Sequence, residues 1–367
     1  MHAGSARGAQ LGLTLIELMV SITIGLLVVG AVTYLYIGSK GAYRGNEALA
    51  RIQDAGRFAL DSITRDIRRA GALGCSSAVS VAGQGAPITV NVIATGLGGQ
   101  PVPIQGFEPS QYQPLPLPTS AWPSGWTPPT GSGTPTYWGG DVLQLQIATG
   151  VPVRVTAEDT TAGTITIANN TVPNGSGAYF KASNYAVLGN CSAAAIFQVF
   201  GSPSAGASAV VSYASAPVPL TTSGQFSLAA DTYPTVQHYD QVTYYIGQAY
   251  ANAPPALYRY SLSSGQAEEL VGNVEDMDVV YGIGTNGAIT TYKKPGTPMN
   301  AADFANVISV RVSLIAVGDQ QGVAPVVQTL LFHGTDGTPL TPVAQAAPDT
   351  KLRQVFNATA ALRDRLQ

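Results

Sequence analysis

Gly12-Leu13-Thr14-Leu15-Ile16-Glu17 opens an apolar stretch that runs on to Ile37. Leu18 to Ile37 is a run of 20 residues in which only Ser, Thr, Gly and Tyr stand among the apolar side chains. At a helical rise of ~1.5 Å per residue it spans ~30 Å, the thickness of one hydrocarbon core. Glu17 sits at its start. A charged side chain in hydrocarbon costs ~2.5–3.5 kcal/mol on insertion scales, so such a carboxylate is a functional residue by default. A cleaved secretory signal is the first alternative. Against it, the run exceeds the ~7–15 residues of an ordinary h-region, no A-x-A site ends it, and the helical pattern continues past it. A plain signal anchor has the same hydropathy and stays open on that ground. Arg7 stands before the run, Lys40 and Arg44 after it, so the positive-inside rule gives little orientation.

Beyond the run, Leu49, Ile52, Ala55, Ala59, Ile63, Ile67 and Ala70 recur at spacings of three or four, one face of a helix. The other face carries charges, with Glu47/Arg51 and Asp61/Arg65 at i,i+4 in the favourable order. Gly71 and Gly74 end the pattern, and Arg68 and Arg69 occupy the last turn, where cations suit the helix dipole. The sequence thus predicts one continuous helix, its first half (13–37) in lipid and its second, amphipathic half (38–74) beneath a head.

Residues 75–140 read as a Gly/Pro-rich loop insertion in which Glu108 is the only charged side chain. Trp122, Trp126 and Trp138, all the tryptophans of the chain, lie in it. They are read either as an exposed contact loop for a partner or surface, or as rings packing the insertion onto the head. From Asp141 to the end (141–367) strands dominate. Val142–Ile147 suggests one. Val153–Thr156 and Thr164–Ala168 form a hairpin about Ala162-Gly163, and Val242–Ile246 and Leu257–Tyr260 another around Pro254-Pro255. Val274–Tyr281 follows. Ile308, Val310, Val312 and Leu314 alternate with Ser309, Arg311 and Ser313, a half-buried strand against which Val326–Phe332 is expected to pair. One helix followed by many strands predicts an α+β fold with an antiparallel sheet packed on the helix.

Of the 367 residues, 11% are charged against about 25% in ordinary soluble proteins, which with 41 Gly and 25 Pro suggests a β-rich head displayed outside the cytoplasm. The 45% hydrophobic content argues against disorder, and a net charge of −3 without a basic stripe argues against nucleic acid as a partner. The two cysteines, Cys75 and Cys191, are an even pair in an exported chain and read as one disulfide; two buried free thiols are the alternative. His2, His238 and His333 have no zinc-site spacing to either, and no cofactor or metal is expected. Neither G-x-S-x-G nor H-E-x-x-H occurs, and His238 with Asp240 reads as polar decoration of a strand rather than an acid/base pair, so no enzyme is expected.

Gly12 followed by Leu13-Thr14-Leu15-Ile16-Glu17 resembles the N-terminus of the type IV pilin superfamily. The head narrows the resemblance. Arg57-Phe58-Ala59-Leu60, Arg65-Asp66-Ile67-Arg68, Gly74-Cys75, Leu257-Tyr258-Arg259, Glu269-Leu270-Val271, Val280-Tyr281-Gly282, Leu352-Arg353-Gln354-Val355-Phe356 and Ala361-Leu362-Arg363 together resemble the PilW family of minor pilins. Gln10 and Leu11 stand where such leaders often carry a basic residue, and Asp364 stands where relatives tend to have Asn.

The resemblance implies a leader (1–12) that a prepilin peptidase removes after Gly12, and methylation of the new amine of Leu13. It implies that Glu17 sets axial register by pairing with a neighbouring subunit's N-terminal amine. It also implies a single-pass inner-membrane protein, head in the periplasm, which the assembly platform moves into the pilus. There it would join other minor pilins, the major pilin and a tip adhesin, and prime fibre assembly. Two alternatives are a minor pseudopilin J-like component of type II secretion and a signal-anchored exported adhesive module.

Overall fold

The computed structural model describes residues 14–73, 76–77, 89–92, 103–110, 115–130, 133–159, 162–189, 193–213, 234–285, 287–295, 299–334 and 342–362. It begins with one unbroken helix, α1 (Leu15–Arg69), of 55 residues. Thr14 caps it, its hydroxyl accepting a hydrogen bond from the Glu17 N–H at 3.3 Å. Glu17 lies in the first turn and Arg68 and Arg69 in the last, each charge matched to its end of the dipole. The helix stops because Ala70 turns extended and Gly71 follows at φ +80, where a Cβ would also meet Pro103 at 2.6 Å.

The strands are β1 (Ala72–Leu73), β2 (Ser76–Ser77), β3 (Thr89–Val92), β4 (Ile104–Phe107), β5 (Thr136–Asp159), β6 (Thr164–Asn169), β7 (Tyr185–Gly189), β8 (Ala193–Gln198) and β9 (Ala207–Ser212). They continue as β10 (Thr235–Gln248), β11 (Ala256–Ser261), β12 (Gln266–Gly272), β13 (Val274–Thr285) and β14 (Ala288–Lys293). A short helix α2 (Ala301–Ala305) precedes β15 (Val307–Val317), β16 (Thr329–Gly334), β17 (Pro342–Ala346) and β18 (Arg353–Ala361). The large sheet runs β3-β8-β7-β10-β5-β6-β9, with β11 and β12 continuing from β10 and β4 added to β5. Its pairings are antiparallel except β3 with β8. A second antiparallel sheet has the order β14-β13-β15-β18. The α+β expectation, one long helix on a β-rich head, holds.

Two cores result. In the first, Ala59, Ile63 and Ile67 of α1 meet Leu143 and Leu145 of β5, Val242 of β10, Val279 of β13 and Val312 of β15, all essentially buried. The second contains no helix residue. It gathers Val155, Ile165, Phe180, Leu188, Phe197, Val211 and Val236 between the far ends of β5 and β10 and the strands β6 to β9. β5, 24 residues long, and β10 pair antiparallel and pass through both cores.

Three details differ from the sequence reading. Val326–Phe332 was expected beside β15, but that place is taken by β18, in register from Ser309↔Ala361 to Val317↔Arg353. β16 begins at Thr329 and pairs with β17. On α1 the buried face includes Ala48, Gly56, Leu60 and Asp66, while Leu49 is exposed. The helix rolls toward Phe356 of β18, whose ring lies where a methyl at residue 56 would be. Within the span expected to be loop, β3, β4 and a 3-10 turn (Thr119–Ala121) form.

Candidate functional site

The first half of α1 is exposed along its length and buries nothing against the described residues of the head. Leu15 (76% exposed), Leu27 (74%) and Tyr34 (80%) typify a surface that is apolar all round, long enough to cross a membrane. Its serine and threonine hydroxyls bond to the helix backbone: Ser21 Oγ donates to the Glu17 carbonyl at 2.7 Å, Thr23 Oγ1 to the Val20 carbonyl at 2.9 Å and Thr33 Oγ1 to the Val29 carbonyl at 2.8 Å. That arrangement suits lipid or a dry helix bundle, where an unmet donor is costly. Glu17 is exposed at the head of this segment. Gly12, Leu13, Cys75 and Cys191 lie outside the described residues. The segments that lead into the two cysteines are close, however: β1, ending at Leu73, lies against β7, ending at Gly189.

The second half of α1 is bound to the head by a charge that the sequence pattern hides. Asp66 is 7% exposed. Its Oδ2 accepts from the Tyr244 hydroxyl at 2.7 Å and from Arg259 Nε at 3.3 Å, and Arg69 stands 3.8 Å from Oδ1. Burial, then the Asp66 charge and hydrogen bond, push the Tyr244 phenol well above its ordinary range, so it stays protonated and donates. One helical carboxylate thus ties α1 to β10 and β11. Asp66 looks solvated in sequence because it neighbours Arg65, Arg68 and Arg69. Its i+3 spacing from Ile63 and its place one before Ile67 were the available signal.

Nearer the membrane half, Arg51 pairs with Glu47 at 2.8 Å and with Asp319 at 3.3 Å, and Asn273 Nδ2 donates to Asp319 at 2.5 Å. Arg353, 4% exposed, is held by Glu275 and Asp349, both at 2.6 Å. Lys294 Nζ meets Asp278 at 2.5 Å beside buried Asp141; burial lowers its pKa, but these carboxylates outweigh that and raise it.

The three tryptophans are half-buried. Trp122 and Trp126 stand edge-on to Tyr137 at centroid distances of 5.7 and 5.4 Å, and Trp122 Nε1 donates to the Leu117 carbonyl at 3.2 Å. Trp138 packs against the first core. The rings therefore bind the insertion to the head, and only their outer edges remain for a partner. His238 stacks with Phe180 at 4.6 Å, and its Nε2 lies 3.1 Å from the Tyr179 carbonyl. Asp240 is engaged instead by Ser261 Oγ at 2.7 Å and the Ser263 N–H at 3.1 Å, so the two do not form a hydrogen-bonded pair. Among the described residues no cluster of three or more His, Cys, Asp or Glu could hold a metal ion.

A single apolar anchor continuous with a helix that spines a β-rich head defines a pilin-like protein. Residues 7–33 match the prokaryotic N-terminal methylation motif. Residues 243–364, from β10 to the end of the sheet on which α1 lies, match the family described as type IV pilus-assembly protein W. Neither the curated proteins nor the solved structures yield a match. The matches agree with the resemblance read from the sequence: the chain is similar to prepilins at its N-terminus and to the PilW family over the last third of its length, and its N-terminal helix is of the kind that anchors a protein in a membrane.

Proposed function

We propose that this chain is a minor pilin that primes type IV pilus assembly from the fibre tip. In this reading a prepilin peptidase cuts after Gly12, Leu13 is methylated, and Glu17 sets axial register against a neighbouring subunit's amine. The head waits in the periplasm until the inner-membrane platform moves the subunit into the fibre. There it meets other minor pilins, the major pilin and a tip adhesin. The observation that carries this is the change of face along one unbroken helix: exposed and apolar around its whole circumference up to Ile37, then buried on one stripe from Ala48 to Ile67. An apolar spine continuous with a head suits transfer from lipid to a bundle of like helices, because both environments ask for the same surface. A Cys75–Cys191 bridge is part of the proposal, supported by the proximity of β1 and β7. The rim of the tryptophan cluster is the proposed contact region for a surface or adhesin.

The test is mass spectrometry of the mature N-terminus in membrane and sheared-pilus fractions. Methylated Leu13 in the sheared fraction is the expected result. An intact leader confined to the membrane would refute the proposal.

A further inference from the structure

Where α1 leaves its apolar run, three large rings stand free. Tyr34 (80%), Tyr36 (65%) and Tyr43 (70%) are exposed, whereas Tyr244 and Tyr281 of the head are buried. Lys40 and Arg44, both exposed, stand among these rings. Neither has an ion-pair partner among the described residues; the next carboxylate along the helix, Glu47, is bonded to Arg51. At ~100° per residue, Tyr36, Lys40, Tyr43 and Arg44 fall within an arc of about 100° on one face, and Tyr34 projects from another. Gln320 of the head and Arg44 line one narrow groove. The base of the head therefore comes down to Arg44 and leaves residues 38–43 exposed.

Distance assigns this stretch to one layer of a membrane. The rise from Ile37 to Arg44 is ~10 Å, and the headgroup layer is ~5–8 Å deep on each side of the hydrocarbon. Helical side chains lean toward the N-terminus, here toward the lipid, so the cations of Lys40 and Arg44 reach back into that layer. Tyrosine suits the same depth, its ring at the acyl boundary and its hydroxyl in water. The cations need a separate reason. In the orientation proposed above they stand on the periplasmic side, where the positive-inside rule does not call for them. Headgroups with a net negative charge supply that reason, because a cation near an acidic lipid surface strengthens binding about fivefold.

We propose that Tyr36, Lys40, Tyr43 and Arg44 form a collar that seats the headgroups of acidic phospholipids at the head-side face of the membrane. The tyrosines set the depth of the helix and the cations choose the headgroup. The collar thereby fixes how far the head stands off the surface. The inference rests on the membrane-anchor reading above and adds the lipid class that the anchor selects.

In the first experiment the full-length protein in detergent is titrated with phosphatidylglycerol or phosphatidylcholine, and bound lipid is counted by native mass spectrometry. A preference for phosphatidylglycerol that added salt weakens is the expected result. Lys40→Gln or Arg44→Gln lowers that preference about fivefold, and the two together about thirtyfold, at ~1 kcal/mol per cation. Arg57→Gln with Arg68→Gln removes the same charge from exposed positions higher on α1 and leaves the preference unchanged. Equal binding of the two lipids, or an equal loss in the Arg57/Arg68 control, overturns the collar. The second experiment places a photo-reactive phenylalanine analogue at residue 27, 43 or 58 of the full-length protein in its own cells. Phospholipid adducts are expected from 27 and 43 and not from 58, where Phe58 is 55% exposed beside the head. Protein adducts alone at 43, the result if an acidic neighbour takes these cations, or lipid adducts from all three positions overturn the collar. A lipid adduct at 27 in those cases leaves the anchor standing; its absence sinks the anchor reading itself.

Discussion

Replacing Asp66 by Ala removes the acceptor that joins α1 to β10 and β11. Tyr244 is 1% exposed, and no other acceptor is bonded to its hydroxyl among the described residues, so an unmet donor costs ~1–3 kcal/mol. Arg259 loses its partner as well. Its side chain is 25% exposed, so water recovers part of the loss and the cost falls short of the ~3–5 kcal/mol for breaking a fully buried pair. Together these give about 3 kcal/mol. Asp66→Asn keeps an oxygen for the phenol and gives up only the charge, about 1 kcal/mol. Urea unfolding of the full-length protein in detergent, followed by near-UV circular dichroism, measures both. A double-mutant cycle with Tyr244→Phe isolates the shared term, expected at about 1–2 kcal/mol. Asp61→Ala, whose carboxylate is 64% exposed, is the control and changes stability by less than about 0.5 kcal/mol. If Asp66→Ala matches that control, or Asp66→Ala and Tyr244→Phe simply add, the buried tie is not what fixes the helix to the head.

Two further outcomes follow from packing and titration. Gly56→Leu drives a side chain into the Phe356 ring and destabilises by about 1–3 kcal/mol; Phe356→Ala in the same chain restores part of the loss, measured by the same unfolding assay. Burial lowers the His238 pKa below its ordinary 6.5, against the smaller opposing effects of the Tyr179 carbonyl and Asp240. The folded protein thus binds this proton less readily than the unfolded chain. The stability this confers is present above pH 6.5 and is lost as pH falls through the folded value. Stability of the native chain therefore declines between pH 7 and 5 more steeply than that of His238→Gln; parallel profiles would refute the assignment.

The helix and the central strands were legible because their signals are local and strong. The apolar run, the three-and-four spacing and the glycine stop mark α1, and the alternation from Ile308 to Leu314 marks β15. β18 was not read as a strand, since Arg353-Gln354-Val355-Phe356-Asn357 has no clean period of two. Its place beside β15 is set by pairing across more than thirty intervening residues. The hairpin error at Val326–Phe332 has the same cause, because nothing local tells one edge of a sheet from another. Glu17 is legible as a charge that does not belong in an apolar run. Asp66 is its converse, a charge among charges that burial alone sets apart.

The long antiparallel pair of β5 and β10 has a mechanical consequence. The helix is rooted in one core and the far strands in the other, and this pair is the beam common to both. Tension between the two ends, directed along the strands, loads their rungs side by side in shear. Peeling a hairpin from its turn breaks rungs one after another, whereas shear requires many to fail at once. A head built on such a beam carries tension with little stretch before it yields.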